Sequence, residues 1–178
     1  MSQDMKVGGQ HFRTIWLKAG NDNVVQLIDQ RFLPHRFVIE EVTTAEQMAI
    51  AIREMHVRGA GLIGASAGFG MYLAALGAAG NDSFDRHLDA VAKQLAATRP
   101  TAVNLAWAIE RQLTSIAKGK TAPEKIAIAL KTARQIADED AEHCRMIGQH
   151  GLHLISQIAR KKSGRPVNVP FKARNAVR

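Results

Sequence analysis

Arg58 and Arg99 are the residues of this chain best placed to do chemistry. Arg58 leads the stretch MHVRGAGLIGASAGFGMYLAAL (55–76); after it no formally charged residue appears through Gly80, and Gly59, Gly61, Gly64, Gly68 and Gly70 punctuate the run. A helix beginning just after Arg58-Gly59-Ala60 would point free backbone N–H groups, and the positive end of its dipole, at whatever sits beside the arginine. Arg99 stands in TRPTAVNL (98–105), directly before a proline that disfavours helix for the preceding residue and opens a second helix. Two guanidinium groups, each at a helix entrance, can converge on one phosphate through forked, charge-assisted hydrogen bonds. The plainer reading of the first stretch is a buried helix entered through a flexible turn.

The elements that must position these arginines are legible on either side. Thr14 to Lys18, Val24 to Ile28 and Arg36 to Val42 are rich in β-branched and aromatic residues and separated by turn chemistry, which predicts a small antiparallel sheet. Asp29-Gln30-Arg31 follows the second strand, either as a solvated salt bridge in a loop or as a group near a ligand. Thr43 or Thr44, with Glu46 or Gln47, satisfies a capping box for a helix carrying Met48, Ala51, Ile52 and Met55 on one face. That helix is expected to stop at Arg58-Gly59, with glycine in the left-handed position after its end.

The uncharged run from Ala60 to Gly80 is long enough to cross a membrane. Of its 21 residues, however, 14 are Gly, Ala or Ser and only seven are large, which predicts a central helix packed closely on every side. Leu88, Val91, Ala92 and Leu95 keep helical spacing after it, as do Ala102, Leu105, Ala106, Ile109, Leu113 and Ile116. Trp107 follows Val103 by four residues and is expected to pack on a second face. Asn104 can reach a ligand or simply be a polar residue near a helix start. Beyond the break at Gly119 to Pro123 another helix is expected, with Ile126, Leu130, Ala133 and Ala137 facing inward.

Other reactive side chains are read as bystanders. Asp138, Glu139, Asp140 and Glu142 beside His143 and Cys144 lack a second cysteine, so surface charge is expected rather than a metal set. Adjacent residues on a helix diverge by about 100°, so His143 and Cys144 cannot form a nucleophile–base pair. His150 and His153 are expected to be packing or surface histidines. The single cysteine excludes an internal disulfide framework and points to a reducing, cytoplasmic setting. Of the net charge of +8, seven basic residues lie from Arg160 onward with no acidic one, so the body is nearly neutral. That distribution, without interleaved aromatics, argues against a specific nucleic-acid partner.

The words TIWL (14–17), VVQLIDQRFLPH (24–35), MHVRGAGLIGASAGFGMYLAA (55–75), TRPTAVNLAWAIER (98–111) and IGQHGLHLI (147–155) resemble, in order, the methylthioribose-1-phosphate isomerases. More loosely they resemble the wider family that holds the alpha, beta and delta subunits of eukaryotic initiation factor 2B. The resemblance covers the N-terminal half of that family. It implies an α+β, mostly helical domain, with a small antiparallel sheet followed by a helical bundle, over residues 13–160. A flexible N-terminus is expected over 1–12, and a basic tail over 161–178 at the start of a truncated second, Rossmann-like domain. It implies isomerisation of 5-methylthioribose 1-phosphate without a cofactor, with Arg58, Gly59, Ala60 and Arg99 binding the substrate's phosphate. The family's cysteine, in a Thr-His-Cys-Asn-Ala-Gly motif, and its aspartate belong to the second domain; Cys144 does not occupy that motif. No catalytic residue and no metal ligand is therefore assigned here, and the chain is expected to be inactive alone, as a truncated copy or separate gene fragment. A homo-oligomer or a C-terminal partner half is expected to cover its helix faces, and no membrane is. The alternative is an initiation-factor-2B-like regulatory or scaffold domain that binds a sugar phosphate or a protein without catalysis. One departure stands inside the matched words: the family usually has proline where this chain has Gly61, at a cost of up to about 1 kcal/mol in preorganisation.

Overall fold

The computed structural model describes residues 5–80, 83–163 and 165–168. The basic stretch 169–178 and the centre of the Gly80 to Ser83 break lie outside the described residues. Within the stretch expected to be a flexible N-terminus, β1 (Met5–Val7) and β2 (Gln10–Phe12) pair as an antiparallel hairpin. Its two-residue turn needs positive φ at both positions, and Gly8 (57°) and Gly9 (83°) supply it. Phe12 then packs against Phe37 with ring centroids 4.9 Å apart.

The three-stranded sheet follows the expected order: β3 (Ile15–Lys18), β4 (Asn21–Ile28) and β5 (Ile39–Val42), antiparallel throughout. Leu17 pairs with Val25 and Val25 with Val42, so alternation puts one apolar face on the core, where Val25, Leu27 and Val42 are fully buried. The opposite face is a polar ladder: Trp16 Nε1 donates to Gln26 Oε1 at 2.8 Å, and Gln26 Nε2 donates to Glu41 Oε1 at 2.9 Å. The last strand starts at Ile39 rather than Arg36.

Thr44 caps α1 (Ala45–Arg53) in a complete capping box, its hydroxyl accepting from Gln47 N at 3.2 Å while Gln47 Oε1 accepts from Thr44 N. The helix stops earlier than expected. His56 N reaches back to Ala51 O at 2.9 Å and Met55 N to Ile52 O, closing the last turn with Met55 in the left-handed region at φ 61°. Met55 is therefore exposed rather than on the buried face, and Gly59 is not this helix's terminator.

At the centre is α2 (Ala60–Gly77), buried on every side from Leu62 to Ala75. It is long and apolar enough to cross a membrane, yet 78% of that window is buried inside the protein. Three of its glycines let four neighbours approach. A Cβ on Gly64 would meet Asn104 O at 3.2 Å, one on Gly68 would meet Ile136, and one on Gly70 would meet Leu95 and Met48, each also at 3.2 Å. Those neighbours belong to α4 (Val103–Ile116), α5 (Ala122–Lys161), α3 (Phe84–Thr98) and α1. Fully buried Gln112 pins three helices, donating through Nε2 to Gly68 O at 2.8 Å and to Ala129 O at 3.0 Å. Trp107 does not pack as expected: it is 47% exposed, with the Arg111 guanidinium 5.2 Å over its ring.

The chain divides into two compact units, Met1–Ala141 and Glu142–Arg178. In the first unit α5 buries Ala129, Thr132, Ala133 and Ile136. In the second it is amphipathic but uncovered, with Ile147, Leu152 and Leu154 exposed, and Cys144, His150 and His153 are on the surface.

Candidate functional site

Gly59 is the residue before α2, at φ 93° and ψ 139°, a conformation that favours glycine. It supplies no side-chain cap, and the first helical bond is Ile63 N to Gly59 O at 3.0 Å. The N–H groups of Ala60, Gly61 and Leu62 thus have no acceptor within the helix, and no acidic residue occupies the first turn. Exposed Arg58 stands immediately outside, and the expected sequence Arg58, Gly59, Ala60 forms one continuous rim.

The loop that carries Arg58 is braced from the sheet. Arg58 Nη2 donates to Gln30 O at 3.2 Å, and Gln30 N donates to His56 O at 2.8 Å, so the Asp29-Gln30-Arg31 turn and the 56–58 loop clasp each other. Asp29 is buried, and its carboxylate accepts from Arg31 N and Nε at 3.0 Å and from Nη2 at 2.7 Å. The hydrogen bonds from Arg31 hold its pKa below the ordinary carboxylate value against the opposing effect of burial. Of the two readings of this turn, the structure displays the internal salt bridge, and it adds a link to Arg58.

Behind the clasp, Asp29, Glu40 and His56 bring ligand-type atoms within 4.8 Å of one another. His56 Nδ1 lies 2.7 Å from Glu40 Oε2, while its buried Nε2 has no hydrogen-bond partner. The set suits a divalent ion poorly. Arg31 already places its guanidinium on Asp29, and Nδ1 is engaged by Glu40. It is a network of the Arg31–Asp29 ion pair and the His56–Glu40 hydrogen bond, bracing the loop.

Arg99 ends α3 in extended backbone (φ −147°, ψ 80°), and its carbonyl accepts from Ala102 N at 2.9 Å, forming the turn that starts α4. It is half-buried, and no side-chain ion pair joins it among the described residues. The α4 start likewise lacks a side-chain cap. Asn104, half-buried one residue into α4, lies against Gly64, so the two uncapped helices run side by side from neighbouring starts. The structure therefore brings the Arg58-Gly59-Ala60 rim and the helix led by Arg99 to the same part of the fold. Sequence reasoning missed Asp140, whose carboxylate lies over Gly61, and the Glu40–His56 pair. Neither has a local sequence signal, because each contact joins separate elements.

The initiation factor 2 subunit family matches this chain over residues 56–173. The chain is 43% identical over 166 residues to methylthioribose-1-phosphate isomerase of Sinorhizobium medicae, covering 93% of this chain and 44% of that protein. It is 48% identical to the enzyme of that name from Methylobacterium nodulans, covering 93% and 43%. Among solved structures it resembles the delta subunit of translation initiation factor eIF-2B from A. fulgidus (TM-score 0.72, 39% identity, 80% of this chain and 41% of that one). It also resembles 5-methylthioribose 1-phosphate isomerase from Pyrococcus horikoshii (TM-score 0.66, 37% identity, 71% and 36%). The chain spans less than half the length of each of these relatives. With well over half of its residues matched, the chain belongs to the initiation factor 2 subunit family.

Proposed function

We propose that this chain is the N-terminal, phosphate-holding part of a methylthioribose-1-phosphate isomerase. The observation that carries the reading is an uncapped helix entrance behind Arg58, in a chain 43% identical to an isomerase of that name over 93% of its length. Arg58 and Arg99 would hold the phosphate through charge-assisted hydrogen bonds, with the Ala60 and Gly61 N–H groups as further donors. A phosphate on carbon 1 prevents the sugar from simply opening to an aldehyde. Moving hydrogen between carbons 1 and 2 therefore needs groups held in a closed, dry pocket. Those groups would come from the part of the relatives that this chain does not match, so the chain alone would bind sugar phosphate without converting it. No external cofactor enters this reading. The exposed Ile147, Leu152 and Leu154 offer apolar surface to a C-terminal half or to a second copy, and a cytoplasmic setting goes with it.

A second reading has its own support. The TM-score to the initiation-factor delta subunit, 0.72, exceeds that to the isomerase, 0.66, which favours a regulatory domain that binds without catalysis. The test is an isomerase assay with 5-methylthioribose 1-phosphate, on the chain alone and mixed with the separately produced C-terminal half of a related enzyme. Turnover only in the mixture is the expected result. Silence in both, with binding retained, favours the regulatory reading.

A further inference from the structure

His56 is buried, yet its Nε2 has no hydrogen-bond partner. An unpaired polar atom in a protein interior is uncommon enough to require a cause. The ring is fixed through its other nitrogen, 2.7 Å from Glu40 Oε2 on β5. With a carboxylate accepting there, Nδ1 carries the single proton of the neutral imidazole and Nε2 is left as a bare acceptor. What faces it is another acceptor: Glu54 Oε2, at the end of α1, lies 3.8 Å away, too far for a hydrogen bond. Asp29 and Arg31 from the turn after β4, Glu40 from β5 and Glu54 from α1 thus surround the ring, and Arg31 feels all three carboxylates while hydrogen-bonding to Asp29. Arg58, on the same loop as His56, turns its guanidinium to Gln30 O. The carboxylates outnumber the guanidinium that faces them, and Nε2 is the one position in the cluster where a proton would gain a partner.

We propose that His56 is a proton-operated latch between β5 and the end of α1: a second proton, taken up from solvent at Nε2, turns the bare acceptor into a donor to Glu54 while Nδ1 keeps Glu40. Histidine is the side chain whose charge ordinarily changes near neutral pH. The Glu54 side chain is 52% exposed, so it can swing the remaining distance of about 1 Å and lies on the solvent side of the ring. The latch acts on the backbone because His56 sits at a junction, its N–H reaching Ala51 O at 2.9 Å and its carbonyl accepting from Gln30 N at 2.8 Å. With both ring nitrogens donating, the 56–58 loop is tied by side chains to α1 and β5 together; with Nε2 bare, the tie to α1 is made by backbone bonds. The added bond is present at lower pH and lost as pH rises. Asp29 keeps its charge throughout, since Arg31 holds its carboxyl below the ordinary range. The latch needs no ligand at the α2 entrance.

The experiment is NMR of the full chain from about pH 8 to about pH 6, the range over which a histidine ordinarily titrates. It follows the His56 ring nitrogens together with amide exchange at Gln30, His56 and Val57, with Gln47 and Met48 correcting for the intrinsic pH dependence of exchange. Nε2 is expected to gain its proton within that range, and protection at the three loop amides to rise relative to the two control amides by about tenfold, the effect of one charge-assisted hydrogen bond. Glu54→Gln, a change on the exposed surface that removes the charged acceptor, is expected to cut most of that rise, and His56→Gln to abolish it. A His56 ring that keeps a single proton across the range overturns the latch, as does a doubly protonated ring with unchanged relative protection. A rise in Glu54→Gln equal to that of wild type overturns it as well, and these readings stand on wild type and Glu54→Gln even where His56→Gln does not fold.

Discussion

The entrances of α1 and α2 begin only fifteen residues apart and are built on opposite plans. At α1 the helix satisfies itself: Thr44 and Gln47 exchange hydrogen bonds, and Gln47 Oε1 also accepts from Thr43 N at 2.7 Å. At α2 the capping residue is Gly59, with no side chain, followed by Ala60 and Gly61. The first plan spends its free donors on local stability. The second leaves them for something outside the helix, and places Arg58 beside them. The starts of α3 and α4 also lack a side-chain cap, so what sets the α2 entrance apart is the glycine at its capping position and the arginine before it.

That contrast breaks most visibly at Arg58. Arg58→Ala should weaken phosphate or sugar-phosphate binding by about 10- to 100-fold, the range for one lost charge-assisted hydrogen bond. Its melting temperature should stay close to wild type, because the side chain is exposed and donates only to Gln30 O among the described residues. Titration calorimetry beside a thermal melt separates the two; a large loss of stability would make Arg58 structural. Gly59→Ala comes next. No atom lies within 4 Å of the added Cβ, so the penalty is backbone strain at φ 93°, about 1–3 kcal/mol of stability in denaturant unfolding. Binding should weaken with it, since relaxing that strain re-aims the N–H groups.

Much of this contrast was legible beforehand, and for physical reasons. Capping chemistry is local, so Thr44 and Gln47 announce α1; the absence of charge from Ala60 to Gly80 announces a helix buried on all sides. The strands were readable because alternation survives where one face meets water, as in Val25, Gln26 and Leu27. Contacts between elements were not readable. Trp107 keeps helical spacing with Val103, yet spacing reports a shared face and not whether anything covers it, and both are exposed. The end of α1 was misplaced because Met55, not a glycine, takes the left-handed position, held there by the bond from His56 N to Ala51 O. Gly61 was visible as a departure, but the Asp140 carboxylate beside it, on another helix, was not.

The self-capped entrance supplies the control. Thr44→Ala should cost about 1 kcal/mol, lowering the melting temperature by about 2–4 °C for a chain of this size, and leave phosphate affinity unchanged. A matched loss of affinity would mean that the two entrances are not independent.

The smallest effect vanishes at neutral pH and appears only in acid. Asp29 holds its proton less tightly folded than unfolded because Arg31 hydrogen-bonds to its charged form. As pH falls, the unfolded chain therefore takes up this proton first. The stability contributed by the pair is complete above the ordinary carboxylate value of 3.8 and is lost as pH drops through the lower folded value. Since the Asp29-Gln30-Arg31 turn clasps the Arg58 loop, that loss should loosen the α2 entrance and spare α1, whose cap has no carboxylate. Hydrogen exchange followed through an acid titration should show Gln30, Val57 and Ile63 losing protection ahead of Gln47 and Met48. In Asp29→Asn that ordering should already be present at neutral pH, and simultaneous loss at both entrances would remove the clasp from the account of how Arg58 is held.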